Sequence, residues 1–186
     1  MPQVVGWVAA VMAVALITGC VDSGPVVSAD RRTSATQGAS MSDDEQLPEA
    51  VPAFTAHFSD PVYEDPAGEF APFGTDEGSD MLYEWDERRG ELGPDTTVAD
   101  LIEGAGMSEV AAGLGTPEES PVPRAGGPVD AAVTIVAAAF TLLRLSGHID
   151  DAGKRLTLEA LDALIGYYDS PPELVRQRAD LESWQG

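Results

Sequence analysis

The sequence predicts an all-α fold, a small bundle of four to five helices that follows an extended arm rich in proline and aromatic residues. Two observations lead to this prediction. From residue 75 onward, apolar residues recur every three or four positions, which is the period of a helix with one buried face. Between these segments, proline and glycine mark loops of ordinary length, as expected for a helical bundle.

The predicted arm spans residues 53–75. Aromatic residues appear abruptly there, while prolines prevent a long helix, so we expect a turn-rich segment that packs onto the helices behind it. The aromatic residues are Phe54, Phe58, Tyr63, Phe70 and Phe73, and the prolines are Pro52, Pro61, Pro66 and Pro72. For residues 51–58, a short strand and a single helical turn both remain open.

The first helix of the bundle is expected to begin after Ser79, because serine commonly caps helix N-termini. Asp80 then suits the positive end of the helix dipole. The helix is expected to end at Gly90 or at Gly93-Pro94. Its imperfect apolar stripe consists of Met81, Leu82, Trp85 and Leu92.

A second, shorter helix is expected to start at Thr97, and Gly104 ends it. Its inward residues are Val98, Leu101 and Ile102. Residues 107–114 add another turn or two, and residues 118–127 form a loop that contains proline and glycine.

The strongest helical pattern runs from Pro128 to Ser146. A proline is tolerated in the first turn of a helix, and Gly147 suits the C-cap. Because this helix is apolar on most sides, we expect it to be the buried centre of the bundle. A membrane span is disfavoured, since only about 13 residues separate Asp130 from Arg144 and a span needs roughly 20.

Two further helices complete the predicted bundle. The helix after Asp150 is expected to bury one stripe made of Leu158, Leu161, Ile165 and Tyr168. The segment Ser170-Pro171-Pro172 interrupts the pattern and starts the last helix. The residues expected to face inward on that helix are Leu174, Val175, Leu181 and Trp184.

The N-terminal region indicates export. Cys20 is the one cysteine of the chain and closes an uncharged apolar run that starts at Val4. The segment Ile17-Thr18-Gly19-Cys20 resembles the lipobox of bacterial lipoprotein signal peptides. That resemblance implies a diacylglycerol on the Cys20 sulfur, cleavage in front of Cys20, and a lipid-anchored protein on the extracytoplasmic face of the cell membrane.

Three segments follow from this interpretation: a signal peptide over residues 1–19, a lipid-anchored flexible linker over residues 20–52, and a helical domain over residues 53–186. The linker is predicted because small and polar residues dominate residues 21–52 and cannot bury enough apolar surface to fold. Two alternatives stay open. Cleavage after Ala29 would give a freely secreted protein, and an uncleaved Val4 to Val21 could just span a bilayer.

The charge balance restricts the partners. The formal net charge is -22 and the sequence pI is about 4.1. Nucleic acid is excluded as a partner because its phosphates would be repelled. Adhesion to anionic lipid is disfavoured for the same reason, so the N-terminal lipid would have to supply the affinity for the bilayer. One lysine and no asparagine indicate a high-GC genome such as that of an actinobacterium.

Catalytic and metal-binding patterns are weak. The run from His148 to Glu159 has the glycine-to-glutamate spacing of an EF-hand, but His148 and Ala152 stand where calcium requires oxygen ligands. A helix cap at Asp150 or Asp151 is therefore favoured, and no metal or cofactor is expected. Paired carboxylates such as Asp76/Glu77 and Glu84/Glu87 are too common to be specific. An enzyme with an unrecognised carboxylate site remains the competing class.

The most distinctive segment of the helical domain runs from Phe70 to Trp85. An aromatic residue, a glycine and acidic residues form a turn there, and an acidic helix that carries a tryptophan follows. This pattern resembles the opening of a group of short bacterial domains of unknown function, over roughly Phe70 to Trp184. The resemblance implies no activity.

Residues 60–120 contain 17 acidic and 2 basic side chains. This excess favours either a solvated surface that keeps an exported protein soluble or a face that docks a basic protein at the cell envelope. The candidate interaction residues are Phe73, Asp76, Glu77, Tyr83, Glu84, Trp85 and Glu87. Tyr83 or Trp85 would be the aromatic anchor, and a buried Trp85 would favour the solvating surface. The sequence thus predicts a lipid-anchored binding module of unknown partner.

Overall fold

The computed structural model describes residues 46–115 and 127–186. The predicted signal peptide, Cys20, most of the predicted linker and residues 116–126 lie outside this range. All regular secondary structure of the described part is helical, with no strand, which confirms the all-α prediction. Its helices are α1 (Pro52–His57), α2 (Asp76–Glu87), α3 (Val98–Gly104), α4 (Ser108–Ala111), α5 (Pro128–Ser146), α6 (Asp151–Tyr167) and α7 (Pro172–Ser183), with 3-10 turns at Pro61–Glu64 and Arg89–Glu91.

Helix α5 is the centre of the fold, as predicted. Helices α1, α2, α3, α4 and α6 contact it, and α7 packs on α6. The helix is long and apolar enough to span a membrane, but 78% of the window that meets this criterion is buried inside the domain. Both ends of the helix agree with the prediction: Pro128 occupies the first turn, and Gly147 caps the C-terminus with a φ of 77°.

The arm is helical where the sequence left two possibilities open. Residues 52–57 form α1, because Pro52 is tolerated at the first helical position and its missing N–H has no intrahelical partner there. Phe58, Tyr63 and Phe140 then form an aromatic cluster, with ring centroids between 5.1 and 5.6 Å apart. The aromatic side chains of the arm therefore pack against α5 and form part of the core, as expected from the aromatic content of the arm.

Residues before position 53 also pack onto the helical domain. Leu47 is buried, and the Val51 N–H donates to the Arg144 carbonyl at 2.9 Å. The Arg144 guanidinium in turn donates to the Pro48 carbonyl at 2.8 Å. The C-terminal end of the predicted linker is thus part of the folded domain. The average composition of residues 21–52 did not indicate this, because it hides the single buried side chain of Leu47.

The start of α2 differs from the prediction. The helix begins at Asp76, and the Thr75 side chain accepts a hydrogen bond from the Gly78 N–H at 3.1 Å. Ser79 lies inside the helix, one turn after the true cap. Position 78 requires glycine, because a Cβ there would collide with the Pro72 carbonyl. The predicted start of α3 is correct, since Thr97 forms a capping box with Asp100.

Two predicted inward residues are exposed. Tyr168 follows the last residue of α6 and is 39% exposed, and Val175 on α7 is 45% exposed. The buried residues of α6 are Gly153, Thr157, Ala160, Leu161 and Leu164. Leu158, Leu161 and Ile165 of the predicted stripe pack against the core, so only Tyr168 was predicted wrongly, because α6 ends before it.

The segment that resembles an EF-hand caps two helices. Asp150 accepts hydrogen bonds from the Gly153 N–H of α6 at 2.8 Å and from the Val98 N–H of α3 at 3.0 Å. The imidazole of His148 lies 3.0 Å from the Thr96 carbonyl. Within residues 46–115 and 127–186, no group of three or more His, Cys, Asp or Glu residues is arranged to hold a metal ion.

Candidate functional site

Helix α2 separates its acidic side chains from its apolar ones. Met81, Leu82 and Trp85 are buried against the core. The carboxylates point to solvent, because the alternation of three and four residues places them on the other side of the helix. We call this surface the acidic face of α2, and it consists of Asp76, Glu77, Asp80, Glu84 and Glu87, all of which are exposed.

Two of the candidate aromatic residues are structural. Phe73 is fully buried and Trp85 is 4% exposed. The indole N–H of Trp85 donates to the Leu101 carbonyl at 3.3 Å, and Gly104 lies against the edge of the ring. Neither side chain is available to a partner in this structure. The burial of Trp85 favours the interpretation of the acidic residues as a solvated surface.

Tyr83 is the exposed aromatic residue among the candidates. Its side chain is 41% exposed, and its hydroxyl donates to the Gln46 carbonyl at 3.3 Å. Tyrosine suits an interface because its ring offers a large contact area at low conformational cost. The ring lies between Asp80 and Glu87 along the sequence of α2, so a partner that contacts it meets negative charge.

The negative charge of the acidic face is partly neutralised at one end. Arg88 pairs with Glu84 at 3.1 Å and with Glu91 at 3.0 Å, and Arg89 pairs with Asp86 at 2.8 Å. The carboxylates of Asp76, Glu77, Asp80 and Glu87 form no ion pair within the described part of the chain. The unpaired charge is therefore concentrated toward the N-terminal half of α2, where the helix dipole stabilises it.

A groove of about 350 Å³ adjoins this unpaired charge. Ala105 and Met107 contribute apolar surface to it, and carboxylates provide its polar part. The lining residues are Asp76, Glu77, Asp80, Met81, Glu84, Ala105 and Met107. Such a groove suits the side chain of lysine or arginine, which combines an apolar stem with a cationic end, and thioethers adapt readily to such stems.

A second polar cluster brings together His57, Asp180 and Ser183. One ring nitrogen of His57, Nε2, lies 2.8 Å from the Asp180 carbonyl and 3.3 Å from the Ser183 hydroxyl. The Asp180 carboxylate accepts a hydrogen bond from Tyr63 at 2.9 Å instead. A hydrolytic triad requires the carboxylate and the nucleophile on opposite nitrogens of the imidazole. This cluster joins α1 to α7 and does not have that geometry.

Sequence reasoning missed a pocket between α5, α6 and α7. Gln177 reaches it from α7, while Val133 and Val136 of α5 and Leu164 of α6 form apolar walls. Residues 69–72, Thr75, Tyr168 and Leu174 complete it. Gln177 is fully buried, although the pattern of α7 predicted only apolar residues on the inner face. A glutamine between charged residues gives no signal that distinguishes a buried amide from an exposed one.

Comparisons with protein-family models, with curated proteins and with solved structures gave no match for this chain.

Proposed function

We propose that this protein is a lipid-anchored binding module on the extracytoplasmic face of the cell membrane, and that it docks a basic protein on the acidic face of α2. The proposal has two parts, an anchor at Cys20 and a docking surface on the helical domain. Each part is supported by a separate observation and can fail without the other.

The anchor rests on the sequence Ile17-Thr18-Gly19-Cys20 at the end of an apolar run. The acidic domain has little affinity of its own for anionic lipid, so membrane association has to come from covalent lipid. A single acyl chain binds a membrane only marginally, whereas two or more chains hold a protein firmly. A diacylglycerol on Cys20 meets this requirement.

The docking surface rests on one observation, the unpaired carboxylates of Asp76, Glu77 and Asp80 beside an apolar groove. A cationic partner would gain Coulomb attraction there and could bury its aliphatic stems against Ala105 and Met107. Electrostatic complementarity of this kind raises association rates and selects partners more than it adds affinity. The predicted partner is therefore basic and binds in a salt-dependent manner.

A charge reversal tests the docking surface. Full-length wild-type protein and the double variant Glu77→Lys with Asp80→Lys are used to capture proteins from envelope extracts at low and high salt. The matched control is Glu159→Lys with Glu173→Lys, which changes net charge equally at exposed carboxylates on α6 and α7. We expect a basic protein to be captured at low salt by wild type and control, and lost from the α2 variant.

Two results would contradict the docking surface. Capture that persists at high salt would show that charge is not the basis of recognition. Equal loss in the α2 variant and in the control would show that overall charge matters and that the acidic face of α2 is a solvating surface only. Neither result affects the proposed anchor at Cys20.

A further inference from the structure

The pocket between α5, α6 and α7 has an apolar interior and a carboxylate at its mouth. Val136, Leu164 and Leu174 line it and are at most 5% exposed, so they form its floor. Glu69 also lines it and is exposed, which places this residue at the mouth. Among the described residues that line the pocket, none is a lysine, an arginine or a histidine. An occupant with apolar atoms inside and positive charge at the mouth complements this arrangement.

Aromatic rings form another side of the mouth. Tyr168 is 39% exposed, and its ring packs edge-on against Phe70 at 5.2 Å and against Tyr167 at 4.8 Å. The pKa of Tyr168 is raised, first by burial of the phenol and then by Tyr167 and by the charges of Glu69 and Asp130. A cation at the mouth would therefore lie beside aromatic rings and in the field of carboxylates from the arm and from α5.

The protein holds both sides of the mouth in place. Asp169 and Ser170, which follow Tyr168, have φ angles of 58° and 65°, a left-handed conformation that residues other than glycine seldom adopt. The Ser170 N–H closes this turn by donating to a carbonyl of α6 at 2.8 Å. On the opposite side, Gln177 Nε2 donates to the Phe70 carbonyl. A site that is ordered in advance loses less conformational entropy on binding.

The volume of the pocket selects the size of the occupant. It is about 60 Å³. At roughly 10–15 Å³ for each water-sized group, the pocket accommodates about four to six such groups. A leucine side chain, with four carbon atoms, matches this size. The side chain of alanine would leave most of the pocket empty, and that of phenylalanine is too large for it.

The pocket is also continuous with the acidic face of α2. Thr75 lines the pocket, and the next residue, Asp76, lines the groove beside that face. We propose that the pocket receives a leucine-sized aliphatic side chain of the basic partner, while the cationic residues that flank this side chain lie against Glu69 and the acidic face of α2. The inference rests on the proposed docking of a basic protein and adds the apolar anchor of the docking segment. Buried anchors contribute most of the binding energy in many interfaces.

Three peptides of seven residues test the anchor. Each carries three lysines on either side of a central leucine, alanine or phenylalanine, and both termini are blocked. Binding to the full-length protein in non-ionic detergent is measured by calorimetry, and the methyl signals of Val136, Leu164 and Leu174 are followed by NMR. We expect the leucine peptide to shift these signals and to bind about tenfold more tightly than the alanine and phenylalanine peptides. Equal affinity for the leucine and alanine peptides would overturn the proposal.

Two variants locate the anchor. Val133→Phe fills the pocket from α5 and should abolish the preference for leucine. Leu174→Ala enlarges the pocket and should raise the affinity for the phenylalanine peptide about tenfold, a gain that cannot result from unfolding. A leucine preference that survives Val133→Phe would overturn the proposal, since the anchor would then bind elsewhere. An unchanged affinity of Leu174→Ala for the phenylalanine peptide would overturn it as well.

A charge variant separates this inference from the docking on α2. Glu77→Lys with Asp80→Lys should weaken all three peptides by a similar factor and keep the preference for leucine. Glu69→Gln should do the same to a smaller extent, with Glu159→Gln on the exposed side of α6 as the matched control. Unchanged affinity in the α2 variant would contradict docking on α2 and leave the pocket as the binding site. Salt-dependent binding without a preference for leucine would overturn the anchor and leave docking on α2 standing.

Discussion

Arg144 of α5 donates two hydrogen bonds to the carboxylate of Glu64 in the arm, at 2.9 and 2.8 Å. The arginine side chain is 3% exposed, whereas that of the glutamate is 53% exposed. The guanidinium also donates to the carbonyls of Pro48 and Tyr63. One buried cation thus holds the N-terminal segment and the arm against the central helix.

Arg144→Met should destabilise the domain by about 3 kcal/mol, because it leaves carbonyls of the arm without donors. Glu64→Gln should cost only about 1 kcal/mol, since its exposed carboxylate is screened by solvent and Arg144 keeps its two carbonyl partners. Urea denaturation of both variants checks the order. A larger loss for Glu64→Gln than for Arg144→Met would contradict this account of the contact.

Truncation should locate the start of the folded domain. Removing residues 21–45 should leave the melting temperature within about 2 °C of wild type, because this composition supplies no core. Extending the deletion to residue 50 removes the buried Leu47 and the Pro48 carbonyl that binds Arg144. We expect that longer deletion to lower the melting temperature by more than about 5 °C. Equal melting temperatures for the two deletions would show that residues 46–50 do not contribute to stability.

Asp150 should stabilise the domain more than an ordinary helix cap does, since its carboxylate caps α6 and also accepts a hydrogen bond from the Val98 N–H of α3. Asp150→Ala should cost about 2 kcal/mol, the upper end of the range for a cap. Asp151→Ala is the matched control, because Asp151 is exposed in the first turn of the same helix, and it should cost less than about 1 kcal/mol. Thermal unfolding of the two variants measures the difference.

The domain should lose stability in alkali through Tyr63. Burial and the hydrogen bond to Asp180 raise the pKa of this phenol well above its usual value of 10.0. The folded state disfavours the phenolate, so the stabilising contribution is complete below about pH 10 and is lost as the pH rises further, by up to about 1.4 kcal/mol per pH unit.

Tyr63→Phe should remove this contribution to the pH dependence. The stability difference between wild type and variant should be constant near neutral pH and shrink above about pH 10. Tyr168→Phe serves as the control, since Tyr168 is 39% exposed and should contribute a smaller slope. Denaturant unfolding across this pH range decides the matter, and identical slopes for wild type and Tyr63→Phe would contradict the assignment.

Local signals in the sequence predicted the parts of the fold that depend on neighbouring residues. Pro128 and Gly147 mark the ends of α5, and Thr97 caps α3, because each acts within one turn of its own position. The predicted start of α2 at Ser79 was wrong, because Thr75 is also a residue type that caps helices and it caps this one. The sequence does not reveal that the Pro72 carbonyl packs close to Gly78 in the first turn of the helix.

The long-range contacts could not be predicted. Arg144 was expected only as a charge near the end of an apolar helix, yet its partners lie 80 to 96 residues away in the chain. Exposure of the acidic face of α2 followed from its charge, whereas Trp85 and Tyr83 could not be separated into buried and exposed residues by periodicity alone. Gln177 gave no signal, because its role depends on the Phe70 carbonyl from the distant arm.

The lipid on Cys20 is the central claim of this account, and the mass of the native N-terminal peptide tests it most directly. Protein extracted from membranes is digested, and the peptide is identified by mass spectrometry, with Cys20→Ser as the control. We expect a chain that begins at Cys20 and carries a diacylglycerol on sulfur, and a variant that lacks the lipid. A wild-type N-terminus at residue 30, or an intact residue 1 with an unmodified Cys20, would contradict the claim.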